Sequence, residues 1–256
     1  MDVHWVDRVG GVRIPYVVLG SGAVPRLLFA HSLLAAAVEG AAVFQPIVDA
    51  GWTVVAMDQR GHGRAEGQWT ASDFELEVLG ADLLAVMDDL GWPSAWLGGG
   101  SMGAATSTAA ALAAPARIEG LALLAPAMGA EPNPALGIFN AVADAFVRGL
   151  DAGLEAWAEA FRPGSVPVPD HAEALRRLGP LGAPAALRAV AGWRFGTIPC
   201  FDFPVITSAW KDDPCHPTAV AQAFAAASPA GRFHELDMGA EPDIFTALAR
   251  QLPPPA

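Results

Sequence analysis

Lysine is almost missing from this 256-residue chain, Lys211 being the only one, and no basic cluster occurs anywhere. With 15 Lys and Arg against 27 Asp and Glu, the formal charge is -12. Such a surface repels phosphate backbones, which argues against nucleic acid as a partner and favours a neutral or cationic small-molecule substrate. Cysteine is nearly as scarce. Cys200 and Cys215 form no C-x-x-C pair and belong to no His/Cys cluster of zinc spacing, so a disulfide framework and a zinc site are both excluded. They read as reduced thiols in a cytoplasmic setting. Long apolar runs are also missing: the alanine-rich stretch from Ala104 to Ala114 falls short of the roughly 18 residues a membrane span needs, so no membrane association is expected. The opening M-D-V-H-W-V-D-R has acids and no basic segment leading into an apolar one, which predicts no secretory leader. No phosphate-loop lysine and no G-x-G-x-x-G spacing is present, and neither metal nor cofactor is expected. What the chain does have is apolar material, 53% hydrophobic against 16% charged. That is enough for the core of one large α/β unit carrying an insertion.

Residues 3–8 and 12–19, V-H-W-V-D-R and V-R-I-P-Y-V-V-L, flank Gly10-Gly11, the composition of a two-residue hairpin turn. They predict an antiparallel ribbon at one sheet edge. Short apolar runs follow at 27–30, 52–57, 95–97 and 120–124, with segments of helical length among them, a pattern that predicts a parallel sheet. Residues 72–90 place Phe74, Val78, Ala81, Leu84, Ala85 and Leu90 close to a helical period, with Gly91 as the stop. After Pro126 the character changes: residues 127–198 are helical in pattern but broken by Pro132, Pro134, Pro163, Pro167, Pro169, Pro180 and Pro184. We read 1–126 and 198–256 as the core and 127–197 as a helical lid inserted into it. Strand signals return at 203–209 and 232–236, and helices are expected at 217–227 and about 242–252. There is no internal repeat.

The segment carrying the most chemistry is 96–106, W-L-G-G-G-S-M-G-A-A-T, where Ser101 sits between Gly99 and Gly103, after one apolar run and before another. A serine on a sharp strand-to-helix turn projects its hydroxyl, and small neighbours at minus two and plus two let the backbone fold back tightly. The N–H of Met102 then falls near the start of a helix, where free amides favour negative charge.

Four segments together, F-A-H-S-L at 29–33, M-D-Q-R-G-H-G at 57–63, G-G-S-M-G at 99–103 and K-D-D-P-C-H-P at 211–217, resemble the α/β-hydrolase family in order and spacing. Each comes at the predicted end of a parallel strand, where open α/β sheets bind ligands. The H-S-L segment is similar to that of enol-lactonase-like members. The resemblance implies an α/β-hydrolase fold, a mostly parallel eight-stranded sheet with helices on both faces and a helical lid. It implies Ser101 as nucleophile, the amides of Met102 and Leu33 as the oxyanion hole, and Asp213, four residues before Pro217, as the triad acid, ahead of its neighbour Asp212. Asp58, Arg60 and His62 match a structural turn.

One element of the family pattern is absent. The family's triad histidine follows the last strand, and here that segment, E-L-D-M-G-A-E-P-D-I-F at 235–245, contains none. His234 falls in mid-strand, roughly 7 to 10 Å short of the carboxyl end, and reads as a half-buried strand residue. His216, three residues past Asp213, would reach Ser101 if its loop bends inward, or else D-P-C-H-P simply starts a helix. Glu241 occupies roughly the vacated place and could act as base if desolvated. His171 lies in the lid, on what reads as a surface loop. Loss of the histidine from a serine triad costs about a millionfold in turnover, so the residue that replaces it decides the activity. Two readings follow. One is a serine hydrolase of a small, mostly apolar ester, lactone or enol-lactone with an atypical base, using Ser101, Asp213 and His216. The other is a non-hydrolytic protein of the same fold, either a lyase or cyclase of secondary metabolism or a ligand-binding pseudo-enzyme. Trp157, Trp193 and Phe195 are candidate pocket walls, and a homodimer is left open.

Overall fold

The computed structural model describes residues 1–21, 24–160, 171–237 and 244–254. Its centre is an eight-stranded sheet in the order β1-β2-β4-β3-β5-β6-β7-β8. The strands are β1 His4–Arg8, β2 Val12–Leu19, β3 Arg26–Ala30, β4 Thr53–Met57, β5 Ala95–Gly100, β6 Ile118–Leu124, β7 Val205–Trp210 and β8 Arg232–Leu236. From β4 to β8 every neighbouring pair is parallel, while β1 and β2 form the antiparallel ribbon at one edge. The hairpin turn differs from the expected two residues. Arg8 pairs with Val12, so Val9, Gly10 and Gly11 all lie in the connection, and both glycines adopt positive φ (81° and 75°).

The continuous apolar character of the central strands has a direct cause, since both faces of the sheet are covered. Leu28, Ala30, Val55, Met57 and Leu97 point to one face and meet residues of α2 (Leu76–Asp89), α3 (Met102–Ala113) and α7 (Thr218–Ala226). Their neighbours Leu27, Phe29, Val54, Ala56 and Trp96 point to the other, towards α1 (Gln45–Asp49) and α8 (Ile244–Gln251).

Helix α2 is shorter than the periodicity suggested, and its phase is different. Residues 71–74 form a 3-10 turn, Glu75 is extended (φ -70°, ψ 139°), and the helix proper begins at Leu76. Its buried stripe is Leu79, Asp82, Leu83, Val86 and Met87 rather than Val78, Ala81, Leu84 and Ala85. The reason is Asp82, a carboxylate 1% exposed that takes an inward position because Arg8 and Arg60 both reach it. Between β6 and β7 come α4 (Ile138–Phe146), α5 (Leu150–Ala160) and α6 (His171–Gly192), the last broken at Gly179. Phe139, Phe146, Trp157, Leu175 and Leu187 from these helices share one apolar cluster with Leu34, Phe74, Met102 and Ala105 of the sheet-bearing part. These three helices therefore lie on the same side as the turn that carries Ser101. Among the described residues no helix is long and apolar enough to cross a membrane, and both cysteines are free thiols.

Candidate active site

Four described residues other than glycine have positive φ: Leu34 (61°), Ser101 (48°), Ala125 (46°) and Asp212 (61°). They lie just beyond the carboxyl ends of β3, β5, β6 and β7, four strands that are adjacent in the sheet. Backbone strain of this kind costs on the order of 1 to 3 kcal/mol per residue and concentrates where a site over-determines the chain. Here it marks one edge of the molecule.

Ser101 is the bend between β5 and α3, at φ 48° and ψ -105°. Its N–H donates to the Leu124 carbonyl on β6 (2.9 Å), and its own carbonyl accepts from the amides of Ala104 and Ala105 (3.0 and 3.3 Å). The flanking glycines are required by contact: a β-carbon at Gly99 would collide with the Gly103 backbone, and one at Gly103 with the Ala30 carbonyl. Met102 opens α3, so its N–H has no partner within the helix. Leu33 lies on the turn after β3, where the Ala35 amide donates to the Ser32 carbonyl (3.1 Å).

Sequence alone left four candidates for the group facing Ser101. His216 is the one found there, its Nε2 lying 2.9 Å from Ser101 Oγ. Its Nδ1 lies 2.8 Å from Asp213 Oδ2. An ionised carboxylate only accepts, so Nδ1 carries the proton and Nε2 presents its lone pair to the serine hydroxyl. The other carboxylate oxygen of Asp213 accepts from the amides of Cys215 (2.8 Å) and His216 (3.2 Å), so acid and imidazole are part of one tight turn. Burial raises the Asp213 pKa, but the hydrogen bonds and charge of His216 and these two amides outweigh it and hold the carboxyl below its ordinary value. Burial and the Asp213 charge push the Cys215 thiol up, away from thiolate.

The other candidates are elsewhere. His234 is half-buried in the middle of β8, paired in register with Ser208. His171 starts α6, not a surface loop, with its ring 5.4 Å from that of Trp157. Glu241 lies outside the described residues. Of the expected wall residues, Trp157 of α5 stacks on Phe139 of α4. Trp193 lines a surface hollow of about 430 Å³ with Phe74, Leu76 and Arg194, whose lining includes neither Ser101 nor His216. Phe195 meets Phe224 edge-on.

Behind the elbow, the M-D-Q-R-G-H-G turn is a buried polar scaffold. Asp58 accepts from the amides of Ala37, Val38 and Arg64 (2.7, 3.0 and 2.9 Å). Arg60 grips Asp82 through two nitrogens (2.6 and 3.1 Å) and Asp73 through the third (2.8 Å). Gln59, which sequence reasoning passed over, joins the two halves of the site. Its side-chain amide donates to the His31 carbonyl (2.7 Å), and its oxygen accepts from Thr106 of α3 (2.7 Å). The Gln59 amide donates to His31 Nε2 (2.9 Å), leaving Nδ1–H for the Ser32 carbonyl (2.7 Å). Burial lowers the His31 pKa to about 4. Burial and the neighbouring His31 lower that of His62 to about 3. Both rings are neutral structural parts.

One family's pattern, described as alpha/beta hydrolase fold, matches residues 25–175, which run from β3 through the Ser101 turn into α6. The chain belongs to the α/β-hydrolase fold family. Among curated proteins this α/β-hydrolase is 33% identical over 89 residues to epoxide hydrolase A of Mycobacterium tuberculosis (strain ATCC 25618 / H37Rv), a stretch of 34% of this chain and 28% of that protein. The match thus spans less than a third of the relative. Among solved structures it is similar to a hydrolase from Pseudomonas aeruginosa PA01 (TM-score 0.77, 20% identity, 98% of this chain and 97% of that one). A thermophilic esterase from Thermogutta terrifontis superposes with a TM-score of 0.71 at 21% identity, covering 98% and 97% of the two chains. These likenesses concern the fold. Among the described residues no group of three His, Cys, Asp or Glu is placed to hold a metal ion.

Proposed function

We propose that this protein is a serine hydrolase of a small, mostly apolar carboxylic ester, lactone or enol-lactone. The observation carrying this reading is the relay itself, with Ser101 Oγ 2.9 Å from His216 Nε2 and Asp213 Oδ2 2.8 Å from His216 Nδ1. In the acylation step the Ser101 proton passes to His216 Nε2 as Oγ attacks the carbonyl carbon. The resulting oxyanion is received by the amides of Leu33 and Met102, and Asp213 stabilises the imidazolium without taking its proton. Collapse expels the alcohol oxygen, which leaves with the proton from His216. A water molecule, deprotonated by the same nitrogen, then releases the acid and restores Ser101. An acidic chain, and an apolar cluster that holds Met102, Met128 and Phe139 with the partly buried Leu33 and Cys215 packed against it, suit an uncharged substrate. The alternative of a lyase, cyclase or ligand-binding protein drew its support from the empty histidine position after β8. A relay completed from position 216 supports hydrolysis instead.

The test is turnover of a short-chain p-nitrophenyl ester together with stoichiometric labelling by a fluorophosphonate. Both are expected in the wild type and both are expected to vanish in Ser101→Ala. A wild type that is neither labelled nor active at neutral pH would favour the non-hydrolytic reading.

A further inference from the structure

The bonds within Asp213–His216 fix acid against imidazole, but they do not fix where the pair sits relative to Ser101. That placement needs a tether from outside the β7–α7 loop. Among the described residues, the only side chain beyond residues 211–217 that hydrogen-bonds this loop, Ser101 aside, is Asn133. Its carboxamide nitrogen donates to the Cys215 carbonyl at 2.8 Å and to the Ala127 carbonyl at 3.2 Å. Its oxygen accepts from the Ala135 amide at 3.0 Å, capping the 3-10 turn Pro134–Gly137 that leads into α4. Asn133 is 8% exposed, and each polar atom of its side chain has a partner.

The two carbonyls it joins are not arbitrary. Ala127 lies three residues past Leu124, the last residue of β6, whose carbonyl accepts the Ser101 amide (2.9 Å). Next to it the Ala125 amide donates to Ser208 on β7 (2.6 Å), which pins the segment to the strand that feeds the base loop. Serine and histidine are therefore both referred to one short stretch of backbone, the first by a main-chain bond and the second through a single carboxamide. Cys215 lies between Asp213 and His216, so a pull on its carbonyl moves both.

We infer that Asn133 is a positioning residue for the acid–base pair, setting the His216–Ser101 distance through the Cys215 carbonyl. This rests on the serine-hydrolase reading. Asparagine is suited to the position because the task needs two donors and one acceptor on a short, neutral, planar group. Displacing a reacting group by about 1 Å costs on the order of a hundredfold in rate.

Asn133→Ser separates this role from simple capping, since serine retains a good cap for the Ala135 amide but is too short to reach Cys215. Asn133→Asp is a second variant that keeps size and cap while losing both donors, and it serves if the serine variant does not fold. We expect turnover of a p-nitrophenyl ester to fall at least about tenfold in kcat with KM within about twofold, and fluorophosphonate labelling of Ser101 to slow by the same factor. Because the Ala127 and Cys215 carbonyls lose their donor, the urea midpoint should also fall in Asn133→Ser, so kcat is read on protein shown to be folded at the assay temperature. Wild-type kcat and labelling rate in a folded variant would overturn the assignment while leaving the serine reading intact. A wild type that is not labelled, with Ser101→Ala as the control, would overturn both.

Discussion

Ser101 stands on a bend that β5, β6 and α3 squeeze from all sides, whereas Asp213 and His216 stand on a turn that makes most of its bonds to itself. The elbow is held by contacts that leave no room: carbonyls of β3 and its following turn against Gly103, a strained φ of 48°, and a main-chain bond to β6. The base turn is held by direction rather than by space. One carboxylate collects two amides and an imidazole, and among the described residues Asn133 is the one side chain other than Ser101 that hydrogen-bonds the turn from outside. A serine built into the core is hard to move but tolerant of distant change. An imidazole carried on a short turn can come from an unusual place in the chain, and its position is correspondingly sensitive to a single hydrogen bond.

The sharpest way to break this contrast is Gly103→Ala. Its methyl has no space against the Ala30 carbonyl, so the variant should lose roughly 3 kcal/mol or more of stability, read as a large drop in the urea midpoint. Wild-type stability there would show that the elbow is looser than its contacts indicate. Asp213→Asn should do the opposite, lowering ester turnover by at least about a hundredfold while lowering the urea midpoint far less than Gly103→Ala does. Gln59→Leu lies between the two. It strands the His31 carbonyl in the interior, while the Thr106 hydroxyl keeps only the Met102 carbonyl (3.1 Å), at a cost of about 1 to 3 kcal/mol by thermal or urea denaturation.

A further effect is graded with pH and accumulates across the acid range. His31 and His62 are held neutral with pKa values near 4 and 3, so protons bind the unfolded chain more readily below its ordinary histidine value of 6.5. Stability should fall as pH drops from about 6.5 towards 4, by on the order of 1 kcal/mol per pH unit for each ring. Asp213, with its pKa depressed, contributes stability that persists above the ordinary carboxylate value of 3.8 and is lost only on further acidification. A denaturation series across this window should therefore show the scaffold behind the elbow weakening first. A flat profile between pH 6.5 and 4 would contradict the neutral assignment of the two buried rings.

The same contrast explains what was legible in the sequence. A bend like that of Ser101 needs small residues at fixed offsets along the chain, and Gly99 and Gly103 write that need into neighbouring positions. The strands were legible because two covered faces demand unbroken apolar runs. The phase of α2 was not, because Asp82 occupies an inward position through arginines 74 and 22 residues away, and a polar letter in the stripe shifts the apparent period. The hairpin turn was misjudged by one residue because the composition of Gly10-Gly11 fits either loop length. The location of the imidazole stayed open among several histidines and Glu241, since proximity to Ser101 depends on how one loop bends. Nothing in the sequence pointed to Asn133, whose bonded carbonyls lie 6 and 82 residues away.

The most direct measurement is the second-order rate at which a fluorophosphonate labels Ser101 in His216→Ala, set beside the wild type and Glu241→Ala. A base at position 216 predicts at least about a hundredfold slower labelling in His216→Ala and a wild-type rate in Glu241→Ala. Unchanged labelling in His216→Ala, with the loss appearing in Glu241→Ala, would contradict it.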